Sequence, residues 1–157
     1  MIIQHNSATK IEKVESFFGD DLLGCLCFAS EGHGYNLANS VKYSYTIEVD
    51  EEKILRMASV WHEHDSDDLE WEAECIVTDV MQTLCVDRDR ALNLLDGTDT
   101  DAENGTDYSG SCAGWYVQQS MGLLANALGY DAAEDHDEQG CVYVVHCVNK
   151  KLEEKCH

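Results

Sequence analysis

Segments with the apolar pattern of β-strands gather towards the two ends of the chain, and this placement constrains the fold more than any other feature. Residues 22–30 and 141–148 are apolar runs of the length that buried strands have. Residues 41–49 alternate tyrosine or isoleucine with polar side chains, as a half-buried strand does. Residues 1–4 predict a further short strand. A sheet built from these segments must therefore join parts of the chain that are far apart in sequence.

The segments between these strands have helical periodicity. The clearest helix covers residues 114–130, where Gly129 supplies the stop and one face carries Val117, Met121, Leu124 and Leu128. The pattern also predicts a strand ending in an acidic turn at 131–138, a helical turn at 35–39, and helices at 10–18, 51–57, 69–85 and 87–95. Strands at both ends with helices between them indicate an α+β fold, in a single domain over residues 1–157.

The charge of the chain limits its partners. Thirty-one acidic residues face ten basic ones, so the formal net charge is −21. Such a protein repels nucleic acid and anionic membranes and attracts basic surfaces. The charge is also compatible with a role in solubility or with a salty habitat. The sequence shows neither a signal peptide nor an apolar run of the ~20 residues that a membrane span needs, so we expect a cytoplasmic protein that binds neither membrane nor nucleic acid directly.

The familiar metal and nucleotide motifs are absent from the sequence. His62 and His64 have no third ligand at metal-binding spacing, and we interpret them as part of a solvated loop. Residues 99–110 lack the glycine and glutamate that an EF-hand loop requires. The eight cysteines lie mostly in apolar runs, where they act as small hydrophobic residues, so we expect reduced thiols. We therefore predict no metal site.

Several short motifs together resemble the ADP-ribosyltransferase family. Members of this family have a first strand ending in His-Gly-Thr/Ser, a strand ending in aromatic-x-Ser/Thr, a Tyr-x-Tyr/Phe-x-Val strand, and a Gly-Tyr-Asp element before an acidic catalytic position. The corresponding segments of this chain are His5-Asn6-Ser7, Phe28-Ala29-Ser30, YSYTIEV at 43–49 and GYDAAEDHDEQG at 129–140. Small size, acidity and Gly114-Trp115 make the chain most similar to small phage anti-CRISPR members that act on type I-F CRISPR complexes.

The resemblance implies a split mixed β-sheet with helices packed around it, and NAD as the co-substrate. The partner implied is a host protein with a basic nucleic-acid-binding surface, such as a CRISPR effector subunit, in the cytoplasm of a bacterial host. Modification of that protein would block its binding to DNA. Among the acidic residues Asp135, Asp137 and Glu138, we favour Asp137 as the catalytic carboxylate, because a carboxylate beside the ribose stabilises the positive charge that develops there.

The same resemblance assigns the NAD-binding residues. His5 would bond the adenosine ribose, while Asn6 and Ser7 would offer backbone groups to the nicotinamide amide. Phe28 would be the aromatic platform for nicotinamide, with Tyr35 as a second candidate and Ser30 at the polar end of the same motif. The family often has glycine where this chain has Asn6, and tyrosine where it has Phe28. The acceptor side chain stays open, because the Glu-x-Glu of arginine-directed members is absent.

Two other functions fit the residues. An acidic protein without enzymatic activity can occupy a basic nucleic-acid site as a DNA mimic, and it would need only well-spread carboxylates. A toxin of a toxin–antitoxin pair with the same fold is a further alternative. The affinity of a DNA mimic should collapse with salt, whereas an enzyme should lose activity on His5→Ala or Asp137→Ala while still folding.

Overall fold

The computed structural model describes residues 1–15, 23–32, 41–104, 112–137 and 140–156. Within these ranges the chain forms seven strands and four helices. The strands are β1 (Ile2–Ser7), β2 (Cys25–Ser30), β3 (Tyr43–Glu48), β4 (Ile54–Arg56), β5 (Ala132–Asp137), β6 (Gly140–His146) and β7 (Glu153–Glu154). The helices are α1 (Val60–Glu63), α2 (Trp71–Leu84), α3 (Arg88–Leu95) and α4 (Cys112–Ala127). None of the helices in these ranges has the length and apolar character needed to cross a membrane.

All seven strands belong to one mixed sheet in the order β4-β5-β6-β2-β1-β3-β7. Strands β4 and β5 pair in parallel, whereas the other neighbours are antiparallel. The predicted α+β class with a mixed sheet is confirmed. At the centre of the sheet β6, from the later part of the chain, pairs with β2, and β2 pairs with β1, whereas the last strand, β7, lies at one edge.

The sheet splits between β1 and β2. These strands pair only at Ile3↔Ser30 and Gln4↔Ala29, whereas β1 pairs with β3 over its full length, from Ile2 to Ser7. Beyond Gln4 the two central strands therefore diverge. The split begins at His5, so the predicted split sheet is also confirmed.

The two faces of the sheet have separate apolar cores. Helix α4 packs on one face, and a Cβ atom at Gly122 would lie 2.7 Å from Val144 Cγ1 and 2.9 Å from Cys25 Sγ. Glycine at this position is what lets the helix approach the strands so closely. The other face is buried beneath residues near the chain ends; its core contains Ile3, Leu26, Phe28, Tyr143 and Val145, with Ile11, Val14 and Leu152 packed against it.

Several predicted boundaries were wrong. Residues 10–15 are not helical, and residues 16–18 of that predicted helix lie outside the described ranges. Asp50 caps only a 3₁₀ turn at Glu51–Lys53, and the chain then enters β4 instead of continuing as a helix. The strand predicted at the start of 131–138 is confirmed, but it extends through Asp137, and residue 138 of the predicted acidic turn lies outside the described ranges. Residues 35–39 are not described, whereas the predicted helices at 69–85, 87–95 and 114–130 are confirmed within a few residues.

Candidate active site

A cleft of about 860 Å³ opens at the split of the sheet. Its walls come from β1, β2, the start of α4, the segment after α3 and the end of β5. The polar and aromatic side chains among its lining residues are His5, Asn6, Asp99, Glu103, Trp115, Gln118, Asp135 and Asp137. Ligand pockets of roughly 300–1,000 Å³ hold small molecules, so the cleft is large enough for a dinucleotide.

His5 bridges the split that the strands leave open. Its Nδ1 lies 2.7 Å from the carbonyl oxygen of Cys27 on β2. A carbonyl only accepts hydrogen bonds, so Nδ1 donates and the neutral ring keeps Nε2 as an acceptor. The imidazole also packs against the Phe28 ring, and the centroids of the two rings are 5.7 Å apart. Burial is the main cause that lowers the pKa of His5 below its ordinary value, so the neutral form is favoured.

We predict that this histidine makes the protein less stable in mild acid. Because the folded state lowers the pKa of His5, the unfolded chain takes up the proton first as the pH falls below about 6.5. The contribution of His5 is therefore complete above that pH and is lost progressively below it. Melting temperatures between pH 8 and pH 5 should fall more steeply for the wild type than for His5→Gln, in which glutamine can still donate to Cys27. Parallel curves of melting temperature against pH for the two proteins would contradict the prediction. The pKa of His146 is also lowered, but this histidine is present in both proteins and so does not affect the comparison.

Asn6 and Ser7 use their side chains to hold β1 in place. The Asn6 Oδ1 accepts hydrogen bonds from Gln4 Nε2 and Ser44 Oγ, both at 2.8 Å. The Ser7 Oγ accepts from the backbone amide of Thr9 at 3.2 Å. Asn6 also lines the cleft.

Two aspartates face the cleft from β5, the first strand of the β5–β6 hairpin. Asp135 and Asp137 are two residues apart on β5, so both point to the same side of the sheet. Gln118 on α4 connects the first of them to β2: its Nε2 lies 3.5 Å from Asp135 Oδ2, and its Oε1 accepts from Cys27 Sγ at 3.3 Å. Burial raises the pKa of Asp135, with the neighbouring Asp137 as a smaller cause in the same direction. Asp137 is exposed at the mouth of the cleft.

Among the predicted site residues that the structure describes, Ser7, Phe28 and Ser30 do not line the cleft. Phe28 is 0% exposed and belongs to the core on the opposite face of the sheet. Ser30 is exposed at the end of β2 and is not among the residues that line the cleft. Tyr35 and Glu138 lie outside the described residues. His5, Asn6, Asp135 and Asp137 therefore share one space, and Phe28 contributes to it only through its contact with the His5 ring.

Sequence reasoning missed two residues of α4 that line the cleft. Trp115 is 49% exposed and presents the one large aromatic surface among the described lining residues. Gln118 lies three residues later, on the same side of the helix. The sequence carried little signal for either residue, because Trp115 is apolar like its neighbours and Gln118 is followed by two further polar residues, Gln119 and Ser120, which are buried. Arg90 holds the segment after α3, which forms another wall of the cleft. Its Nε donates to Asp99 Oδ2 at 3.1 Å, and its Nη2 donates to the Asp101 carbonyl at 3.0 Å.

A second polar group lies on the reverse face of the same hairpin. Glu134, His136 and Cys141 place one potential metal-binding atom each within 4.8 Å of one another. The carboxyl oxygen of Glu134 lies 3.9 Å from His136 Nε2. Burial and the nearby carboxylates of Glu134, Asp135 and Asp137 raise the pKa of the Cys141 thiol. The prediction from sequence had no metal site, because no single motif contains these three residues.

Comparison with known proteins identifies the family and the fold of the chain. A family model described as "Anti-CRISPR Type I-F ADP-ribosyltransferase AcrIF11" matches residues 8–155. No curated protein matches the chain. A solved structure described as "Crystal structure of an anti-CRISPR protein" is similar with a TM-score of 0.62 and 21% sequence identity, over 99% of this chain and 95% of that one. At this identity the likeness shows a shared fold.

Proposed function

The chain belongs to the family of anti-CRISPR type I-F ADP-ribosyltransferases, and from that premise we propose that it transfers ADP-ribose from NAD to a protein of a type I-F CRISPR complex. The family resemblance predicted from the short motifs is confirmed. The observation that carries the proposal is the meeting of His5, Asp135 and Asp137 in one cleft at the split of the sheet. We propose that residues 1–157 act as a single domain in the cytoplasm of a bacterial host.

His5 is suited to hold a ribose. Its Nδ1 proton is committed to the Cys27 carbonyl, so Nε2 can accept a hydrogen bond from a ribose hydroxyl of NAD. The lowered pKa favours the form of the ring that can do so. The contact with Phe28 and the hydrogen bond to the Cys27 carbonyl restrict the rotation of the His5 ring. The side chain therefore loses less conformational entropy when it binds a ligand.

The aspartates are suited to the charge that develops during the reaction. When NAD is bound, its nicotinamide leaves with the electrons of the glycosidic bond, and positive charge appears on the ribose. We propose that Asp137, exposed at the mouth, stabilises that charge and takes the proton of the incoming acceptor group. Asp135, held by Gln118 deeper in the cleft, would support it. Glu138, which also belongs to the acidic set, stays part of the proposal on sequence grounds alone.

Trp115 is the better placed aromatic platform for nicotinamide. Stacking needs an accessible ring face, and Phe28 has no exposed surface. Trp115 is half exposed at the edge of the same cleft, close in sequence to Gln118. We propose that Trp115 takes the stacking role and that Phe28 orients His5. Ser30 and Tyr35 keep the roles in NAD binding implied by the resemblance, as proposals without a contact in support.

The net charge of −21 supports a second function for the surface outside the cleft. The carboxylates can guide the protein to the basic nucleic-acid-binding surface of its target, or block that surface as a DNA mimic without any catalysis. In the first case charge changes the association rate while NAD is still needed for inhibition. In the second case inhibition requires no NAD and disappears as the salt concentration rises.

The proposal is tested by incubating the protein with labelled NAD and a purified type I-F CRISPR complex. We expect covalent label on one protein of the complex, loss of DNA binding by the complex, and a higher melting temperature of the transferase in the presence of NAD. Inhibition of DNA binding without label, equal with and without NAD, would leave the DNA mimic as the function. A complex not of type I-F serves as the control for target choice.

A further inference from the structure

We propose that Glu134, His136 and Cys141 form a binding site for a divalent cation of the zinc class. The site lies on the β5–β6 hairpin, on the face opposite to Asp135 and Asp137. The ligand-capable atoms of the three residues all lie within 4.8 Å of one another, and Glu134 Oε1 is 3.9 Å from His136 Nε2. The proposal does not rest on transferase activity.

The backbone brings these three side chains together. His136 is paired directly with Cys141 across the hairpin, and Glu134 is two residues before His136 on the same strand. Directly paired residues have Cβ atoms about 4.5–5.5 Å apart, and residues two apart on a strand share a face. The arrangement is therefore set by the register of a hairpin with six-residue and seven-residue strands.

The spacing is close to that of a zinc site. Bond lengths of about 2.0–2.3 Å to nitrogen, oxygen and sulfur put neighbouring ligands of a tetrahedral ion roughly 3.4–3.7 Å apart. The Glu134–His136 separation of 3.9 Å nearly meets this spacing already. The imidazole of His136 is 72% exposed, so it can turn towards the other two ligands without disturbing the core.

The chemistry of the set selects the ion. A thiolate, an imidazole and a carboxylate together suit Zn²⁺, whereas Mg²⁺ and Ca²⁺ prefer oxygen ligands alone. Three protein ligands leave a fourth position of a tetrahedral ion for water. The adjacent carboxylates of Asp135 and Asp137 add negative potential that favours a cation at this hairpin.

The present partners of the three side chains can be exchanged for a cation. Glu134 pairs with Arg56 at 3.7 Å, and the Arg56 side chain is 76% exposed, so this ion pair is weak. Cys141 shares a hydrogen bond with Tyr143, which a metal–thiolate bond would replace. A bound divalent ion supplies more charge at shorter distance than either partner.

The experiment uses the untagged protein and Co²⁺, which substitutes for Zn²⁺ and gives a thiolate-to-metal absorption band in the near ultraviolet. We expect a band that saturates at one Co²⁺ per chain and disappears when Zn²⁺ is added. Cys141→Ser should abolish the band. Cys75→Ser, which removes a partly buried thiol on α2 away from the hairpin, is the matched control and should keep it.

A second variant separates loss of binding from loss of folding. His136→Ala removes a largely exposed side chain, so its circular dichroism spectrum and melting temperature without metal should match the wild type. Its affinity for Zn²⁺ should fall by at least about tenfold, since even indirect partners of a metal site are often worth that much. The proposal is overturned if wild-type protein gives no thiolate band, if the band survives in Cys141→Ser, or if His136→Ala binds Zn²⁺ as tightly as the wild type.

Discussion

Asp137→Asn should lower the rate of ADP-ribosyl transfer from NAD by about 10²–10³-fold, the effect typical of losing one charge-stabilising group at a reacting centre. Asparagine keeps the shape of the side chain but removes the negative charge that opposes the ribose cation. The side chain is exposed, so the free energy of unfolding should change by less than about 0.5 kcal/mol. The rate is measured with labelled NAD and the target complex, and stability is measured by urea unfolding.

Glu72→Gln is the matched control for this prediction. It removes one carboxylate from an exposed position on α2, far in sequence from the β5 aspartates, and it changes the net charge by the same amount. Its transfer rate should equal that of the wild type. Asp135→Asn should show a smaller loss than Asp137→Asn, because Asp135 lies deeper and acts in support. A larger loss for Asp135→Asn, or full activity of Asp137→Asn, would refute the assignment of Asp137 as the catalytic carboxylate.

Phe28→Ala should destabilise the protein by about 3–5 kcal/mol, the usual cost of removing a buried aromatic ring. The ring is 0% exposed, belongs to the same core as Ile3 and Tyr143, and supports the His5 imidazole. Its loss leaves a cavity in this core, beside strands β1 and β2, which pair at only two positions. Urea unfolding at pH 8, where His5 is neutral, measures the effect.

A pair of milder variants distinguishes a core role of Phe28 from a role in binding nicotinamide. Phe28→Leu keeps most of the apolar volume, so the affinity for NAD should stay close to that of the wild type. Trp115→Ala should weaken NAD binding by roughly 2- to 13-fold, corresponding to the 0.5–1.5 kcal/mol of an aromatic contact. If Phe28→Leu weakens NAD binding as much as Trp115→Ala, then Phe28 contacts the nicotinamide after all. Titration of NAD by calorimetry gives both affinities.

The strongest local patterns predicted their elements correctly. The helix over 114–130 and the strand over 141–148 each repeat one period for long enough to identify the element type, and both are present as α4 and β6. The order of the elements was enough for the α+β class. The predicted split of the sheet and the family came from short motifs, above all His5-Asn6-Ser7, whose first residue does lie where β1 and β2 part.

Other features depended on contacts between distant segments. Residues 54–56 were expected to be helical, but they form β4 because their backbone pairs with β5, almost eighty positions later. Residues 10–15 have helical spacing, yet Ile11 and Val14 instead cover the sheet face opposite the helices. In both cases burial against a partner outweighed a weak local preference.

The sequence alone determined the class of the fold and the family, because hydrophobic periodicity and short motifs are local properties of the chain. Only the tertiary structure decided the composition of the cleft. Alternation along a strand shows that two residues share a face, but it does not say which face is covered. Packing of α4 on one face placed Asp135 and Asp137 beside His5, while the chain ends covered the other face and buried Phe28.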